Sequence, residues 1–199
     1  MLHVPIAFAC ILTGLPTAPN VVADDRWKLV FEDEFDGKND PLADWETFGD
    51  ATSQEKGLKG RGLLLSAPGG ERGRPAYAGA VTTLGGGAVR NERITLGISW
   101  RDMSKKSTDA SLALKIEYRD VNGEVLKTDE VQTPVNEGRK GWNETTVTGV
   151  VPANAKRIDA AVVLVPGSRP VLSQILVDEL EATRAAPPLD LLGGGDFEV

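Results

Sequence analysis

Apolar and polar residues alternate with a period of two along most of this 199-residue chain. In RITLGISWR (93–101), Ile94, Leu96, Ile98 and Trp100 share one face, and Arg93, Thr95, Ser99 and Arg101 share the other. SLALKIEYRD sets Leu112, Leu114, Ile116 and Tyr118 against Ala113, Lys115, Glu117 and Arg119. Successive side chains on a strand point to opposite faces, so this pattern predicts half-buried strands. Asn122-Gly123 supplies a hairpin turn that tolerates positive φ, and EVLKTDEVQT returns from it. WNETTVTGVV is a further Thr/Val-rich strand ended by Pro152. RIDAAVVLV turns Ile158, Ala160, Val162 and Leu164 inward and closes at Pro166-Gly167, and SQILVDELEAT is the last strand. WKLVFEDEF, GRGLLLSA and YAGAVTTL are shorter strands in a looser front half. No stretch carries a helical apolar face. About nine or ten short strands, with turns roughly every 8 to 12 residues, predict an all-β, two-sheet antiparallel β-sandwich of jelly-roll type.

Two segments fall outside this pattern. Residues 1–23, MLHVPIAFACILTGLPTAPNVVA, contain an apolar stretch from Val4 to Leu15, no charge, and small residues before Asp24. They are expected to be a secretory signal peptide, although the usual Lys or Arg at its start is missing. The apolar core is too short for a membrane span, and Pro5 and Pro16 bracket it. The sandwich is then expected over 24–183. Residues 184–199 form a linker around Pro187-Pro188 and a tail, LLGGGDFEV. The tail is either the start of a truncated second module or an extra edge strand.

With the signal removed, the picture of candidate chemistry narrows. The only His and the only Cys, His3 and Cys10, lie within it. The remaining chain cannot host a Ser-His-Asp or Cys-His site, an imidazole or thiolate zinc site, or a disulfide. Its formal net charge of −7 is interspersed, with no basic run, which argues against nucleic acid and against insertion into a membrane after signal cleavage. The expected location is secreted, periplasmic or cell-surface.

The back half carries a further pattern. Tyr118, Asp120 and Gly123 lead into the hairpin, and Trp142 precedes the next strand. Val151-Pro152-Ala153-Asn154-Ala155 follows, and Asp178 stands in the last strand. In these features the chain resembles the carbohydrate-binding-module, galactose-binding-like jelly rolls over about half the segment after the signal. The opening WKLVFEDEFDG resembles the start of laminarinase-type glycoside hydrolases, whose Glu-x-Asp-x-x-Glu strand carries the paired carboxylates that hydrolysis needs. Here the nearest string is Glu34-x-Asp36-x-x-Asn39, which lacks the last carboxylate. In the binding modules, acids of the first and last strands often share a structural calcium. The resemblance therefore implies Asp36 and Asp178 as calcium ligands, with Glu34 as a neighbour on the same phase.

Sugar recognition calls for exposed rings against pyranose C–H faces and planar polar groups for hydroxyls. Tyr77, in the Gly/Arg/Pro-rich GERGRPAYAG with Arg72 and Arg74, is the ring most expected at the surface. Trp100 follows the core phase, yet its place at a strand end beside Arg101 makes it a candidate cleft wall. Lys115, Glu117 and Arg119, with Arg101, could line a concave sheet. Trp27, Trp45, Trp142 and Tyr118 are expected in or at the edge of the core. The expected function is a secreted, non-catalytic module that binds a polysaccharide or cell-surface polymer. The alternatives are an interaction module of an exported multi-domain assembly and a glycoside-hydrolase-related enzyme domain.

Overall fold

The structure, a computed structural model, describes residues 27–36, 41–54, 56–70 and 76–186. The segment 1–23 expected to be a signal, the tail from 187, Arg72 and Arg74 lie outside the described residues. The described residues form eleven strands: β1 (Lys28–Asp33), β2 (Glu46–Phe48), β3 (Asp50–Gln54), β4 (Gly62–Pro68), β5 (Ala78–Thr83), β6 (Arg93–Asp102), β7 (Ser111–Arg119), β8 (Val125–Pro134), β9 (Asn143–Val150), β10 (Arg157–Val165) and β11 (Leu172–Ala185). A 3-10 turn, Val135–Lys140, joins β8 to β9.

The strands form two antiparallel sheets, as the alternation predicts. One has the order β3-β4-β11-β6-β9, with β1 pairing a free stretch of β11; the other has the order β2-β5-β10-β7-β8. The core lies between them. Ile94, Leu96, Ile98 and Trp100 of β6 face Leu112, Leu114, Ile116 and Tyr118 of β7 and Ile158, Ala160, Val162 and Leu164 of β10, all buried. Burying a side chain of this kind contributes about 1.5–3 kcal/mol, so the inward phases of three strands carry much of the sandwich. The β7–β8 hairpin turns through Gly123 at φ 86, as Asn122-Gly123 suggested. The Asp120 carboxylate holds it by accepting from the backbone N–H of Asn122 and Glu124.

β11 is the organising strand of the larger sheet. It pairs β4 over Leu172–Val177, β1 over Leu180–Arg184, and β6 along its other edge. A bulge between Asp178 and Glu181 separates the two halves, with Glu179 at φ 50. The extra residue moves the inward phase from Ile175 and Val177 to Leu180 and Ala182. The strand also runs through Arg184 and Ala185, two residues beyond the expected boundary at 183. Arg184 is buried there and donates to the carbonyls of Gly85 and Gly87.

The tryptophans divide. Trp45 is in the core against Phe35, and its indole N–H donates to Asp33 at 2.6 Å. Trp27 is 40% exposed under the Arg93 guanidinium, and Trp142 is half-buried under Arg101. Trp27 thus stands outside the core expected for it.

Candidate functional site

The outward face of the five-stranded sheet is a trough, made by the sizes of its side chains. Phe48, Gly79, Val163, Ala113 and Gln132 stand in one row across the five strands. Glu46, Val81, Ala161, Lys115 and Glu130 form the next. Small residues occupy the middle of each row and large ones the edges, so the floor is sunken. Ala113, Ala161 and Val163 form a second buried apolar cluster, with Val81 and Val165 packed against it. The trough is open to solvent and has a volume of about 870 Å³.

Two aromatic rings stand on the β2–β5 side: Phe48, 39% exposed, and Tyr77, 45% exposed. Glycines place both. A Cβ at Gly79 would meet Phe48 Cζ and come within 2.6 Å of the Val162 carbonyl. Gly49, at φ 66, lets the backbone pass against the Tyr77 carbonyl, where any side chain would collide. The opposite side is polar. Lys115 Nζ pairs with Glu130 Oε2 at 2.8 Å, and the Gln132 amide donates to Glu130 Oε1 at 2.5 Å. Lys115, with help from Gln132, holds the Glu130 carboxyl below the usual carboxylate range. At the far end, Arg119 donates from Nη2 to Glu117, from Nε to Asp159 at 2.7 Å and from Nη1 to the Gly123 carbonyl at 2.9 Å.

Of the residues proposed from sequence for ligand contact, the trough brings together Tyr77, Glu117 and Arg119. It excludes the other two. Trp100 is fully buried, and its indole N–H donates to Thr145 Oγ1 at 2.8 Å inside the core. Its place on the inward phase of β6 decided its fate, and it walls no cleft. Arg101 points outward from the other sheet, where it donates to the Lys56 carbonyl at 3.0 Å and covers Trp142. Phe48, Gln132 and Glu130 complete the two walls without a sequence signal of their own, while Lys115 stands beside Glu117 and Arg119 as expected. A signal for the floor existed: after Asp159, β10 has no polar residue on either phase. Such a continuous apolar run marks a strand covered on both faces.

Asp36 and Asp178 converge on the loop 57–61. Asp178, fully buried beneath it, accepts from the Leu58 N–H at 2.5 Å and from the Glu179 N–H at 2.8 Å. Burial pushes its carboxyl up. Asp36 accepts from the Arg61 N–H at 2.5 Å. A Cβ at Gly57 would meet Asp178 Oδ2 at 2.6 Å and the Arg61 carbonyl, and one at Gly60 would meet Asp36 Oδ1 at 2.5 Å. Glu34 instead reaches Lys59 Nζ, at 3.6 Å, which also pairs with Glu179 at 2.6 Å. Among the described residues no three acidic side chains are grouped closely enough to hold a metal. Carboxylate oxygens suit a hard cation, but here those of Asp36 and Asp178 already accept backbone N–H groups of the loop and of Glu179.

A second concavity, of about 280 Å³, lies on the outward face of the six-stranded sheet. Gly97 is its open floor, with Thr, Ser and Glu side chains around it and no aromatic ring among the lining residues.

No protein-family model matches the chain, and no curated protein matches it in sequence. Solved structures do match in shape. The CBM22-1 xylan-binding domain from Paenibacillus barcinonensis Xyn10C has a TM-score of 0.54 at 14% identity, covering 80% of this chain and 96% of that one. The C-terminal family 22 carbohydrate-binding module of Clostridium thermocellum Xyn10B has a TM-score of 0.57 at 18% identity, covering 79% and 94%. The fold is that of carbohydrate-binding-module jelly rolls. The enzymatically active domain of bacteriophage CBA120 tailspike protein 4 also matches, with a TM-score of 0.55 at 16% identity. That match covers 75% of this chain, which spans 20% of the phage chain. At such identities the likeness speaks for the fold alone.

Proposed function

We propose that the protein is a non-catalytic glycan-binding module that holds a polysaccharide segment in the trough of the five-stranded sheet. One observation carries this reading: a sunken apolar floor with Phe48 and Tyr77 on one wall and hydrogen-bonding side chains on the other. The rings offer flat apolar faces to pyranose C–H groups, while Gln132, Glu130 and Glu117 offer partners to hydroxyls. Hydrolysis needs a carboxyl group able to give up a proton to the leaving oxygen. Glu130, held ionised by Lys115, is poorly suited to that task. Affinity electrophoresis of the chain against a polysaccharide panel tests the binding, with retardation by at least one polymer expected. Release of reducing ends from any of them would overturn the non-catalytic part.

Export by the segment 1–23 belongs to the same reading. So does a calcium ion held by Asp36, Asp178 and backbone carbonyls of the loop 57–61. A ligand that binds only the folded state stabilises it. The Tm is therefore expected to rise with calcium and fall on chelation, and metal-free protein whose Tm ignores calcium would rule the ion out. The second reading is an interaction module of an exported assembly. It is favoured by the trough having only two exposed rings. Silence across the panel together with retained binding to a partner protein would select it.

A further inference from the structure

We propose that the trough selects uncharged glycans and rejects acidic ones, because every cation along it is already matched by a carboxylate. The inference rests on the glycan-binding reading and deepens it. Along the trough and its far end stand three cations, Lys115, Arg119 and Arg157, and four carboxylates, Glu46, Glu117, Glu130 and Asp159. Each cation is matched: Lys115 to Glu130, Arg119 to Glu117 and Asp159, and Arg157 to Asp159 at 3.0 Å. All three nitrogens of Arg119 are engaged, so this side chain positions Glu117 rather than offering a counter-charge to a ligand.

The consequence is a matter of competition. A uronate or sulfate group seeking Lys115 or Arg119 must displace a carboxylate already in contact. That carboxylate would then stand unpaired against the incoming anion, which costs more than the new contact returns. The formal net charge of −7 adds a repelling field at long range. A neutral hydroxyl meets no such conflict. It needs only to share the outer lone pairs and N–H groups of side chains that are already held in place.

The test uses the full chain, affinity electrophoresis and calorimetry. The probes are neutral xylan, mannan and mixed-linkage glucan beside polygalacturonate and alginate. At least one neutral polymer should bind, with its affinity changing less than about two-fold between about 20 mM and about 500 mM salt. The acidic polymers should bind at least about ten-fold more weakly, or not at all. The variant Glu130→Gln leaves Lys115 without its carboxylate on a solvent-facing wall, where the fold tolerates the change. It should gain affinity for polygalacturonate at low salt and lose it at high salt. A wild-type protein that prefers the acidic polymers, with salt-weakened affinity, would overturn the inference while leaving the glycan-binding reading intact. A Glu130→Gln protein that binds neutral polymers but gains nothing for polygalacturonate would also overturn it. Absence of binding to every polymer, by both proteins, would overturn the reading itself.

Discussion

At the scale of single residues, the aromatic side chains separate cleanly into those that hold the sandwich and those that face outward. Replacing Phe48 or Tyr77 by Ala is expected to weaken glycan binding about ten-fold each, with little change in Tm, since both rings are partly exposed. Trp100→Phe is expected to do the reverse. It removes core volume and the donor to Thr145, costing about 2 kcal/mol in denaturant unfolding and leaving affinity unchanged. Titration calorimetry beside urea unfolding distinguishes these outcomes, and loss of affinity in Trp100→Phe would contradict the assignment. Tyr77 was legible in the sequence because its loop is rich in Gly, Arg and Pro. The burial of Trp100 was signalled by the phase it shares with Ile94, Leu96 and Ile98, and its place at the strand end was a misleading sign of a cleft wall. Phe48 was not legible: it lies in a three-residue strand, too short to show an alternation. Only the cross-strand neighbour Gly79 gives its ring a place.

At the scale of elements, the strands with long alternation were readable almost to the residue. β10 runs over the nine residues Arg157–Val165, the span its pattern outlined. β2 and β3, exposed and polar, gave no periodic signal. The bulge in β11 did leave a trace, in the change of apolar phase across Asp178 and Glu179. It reads as a bulge only once β6 is known to lie alongside, because the extra residue is defined by its partner. Loops are tied by single side chains. Asp109 accepts from the Ser168 hydroxyl and N–H and from the Arg169 N–H, joining the β6–β7 loop to the β10–β11 loop. The Ser168 hydroxyl, aided by these amides, holds the Asp109 carboxyl down at about 2. A depressed carboxyl stabilises the fold at pH above its unfolded value of about 3.9, and that contribution fades as pH falls through about 2. Asp109→Ala should therefore lower Tm at neutral pH, and the gap from wild type should shrink as pH falls from about 4 to about 2. A gap independent of pH in thermal scans would show that the loop latch is not ionic.

At the scale of the whole molecule, two sheets give two outward faces of different character. One has an apolar floor with rings and cations each matched by a carboxylate, and the other has Thr, Ser and Glu around a bare glycine. The general architecture was legible because a sandwich is little more than alternation repeated. The choice of binding face was not, since it depends on which strands become neighbours and whose small side chains line up. The long-range pairing also has a consequence in time. β11 lies between β4 and β6 and also receives β1, yet it is the last strand of the described domain. Synthesis delivers the keystone after every stone that leans on it. A chain ended before Leu172 is expected to show no cooperative unfolding transition by circular dichroism, and a sharp transition would refute this. Until β11 emerges, the nascent chain has no completed fold, and β1, β4 and β6 wait unpaired along the edges that β11 will fill.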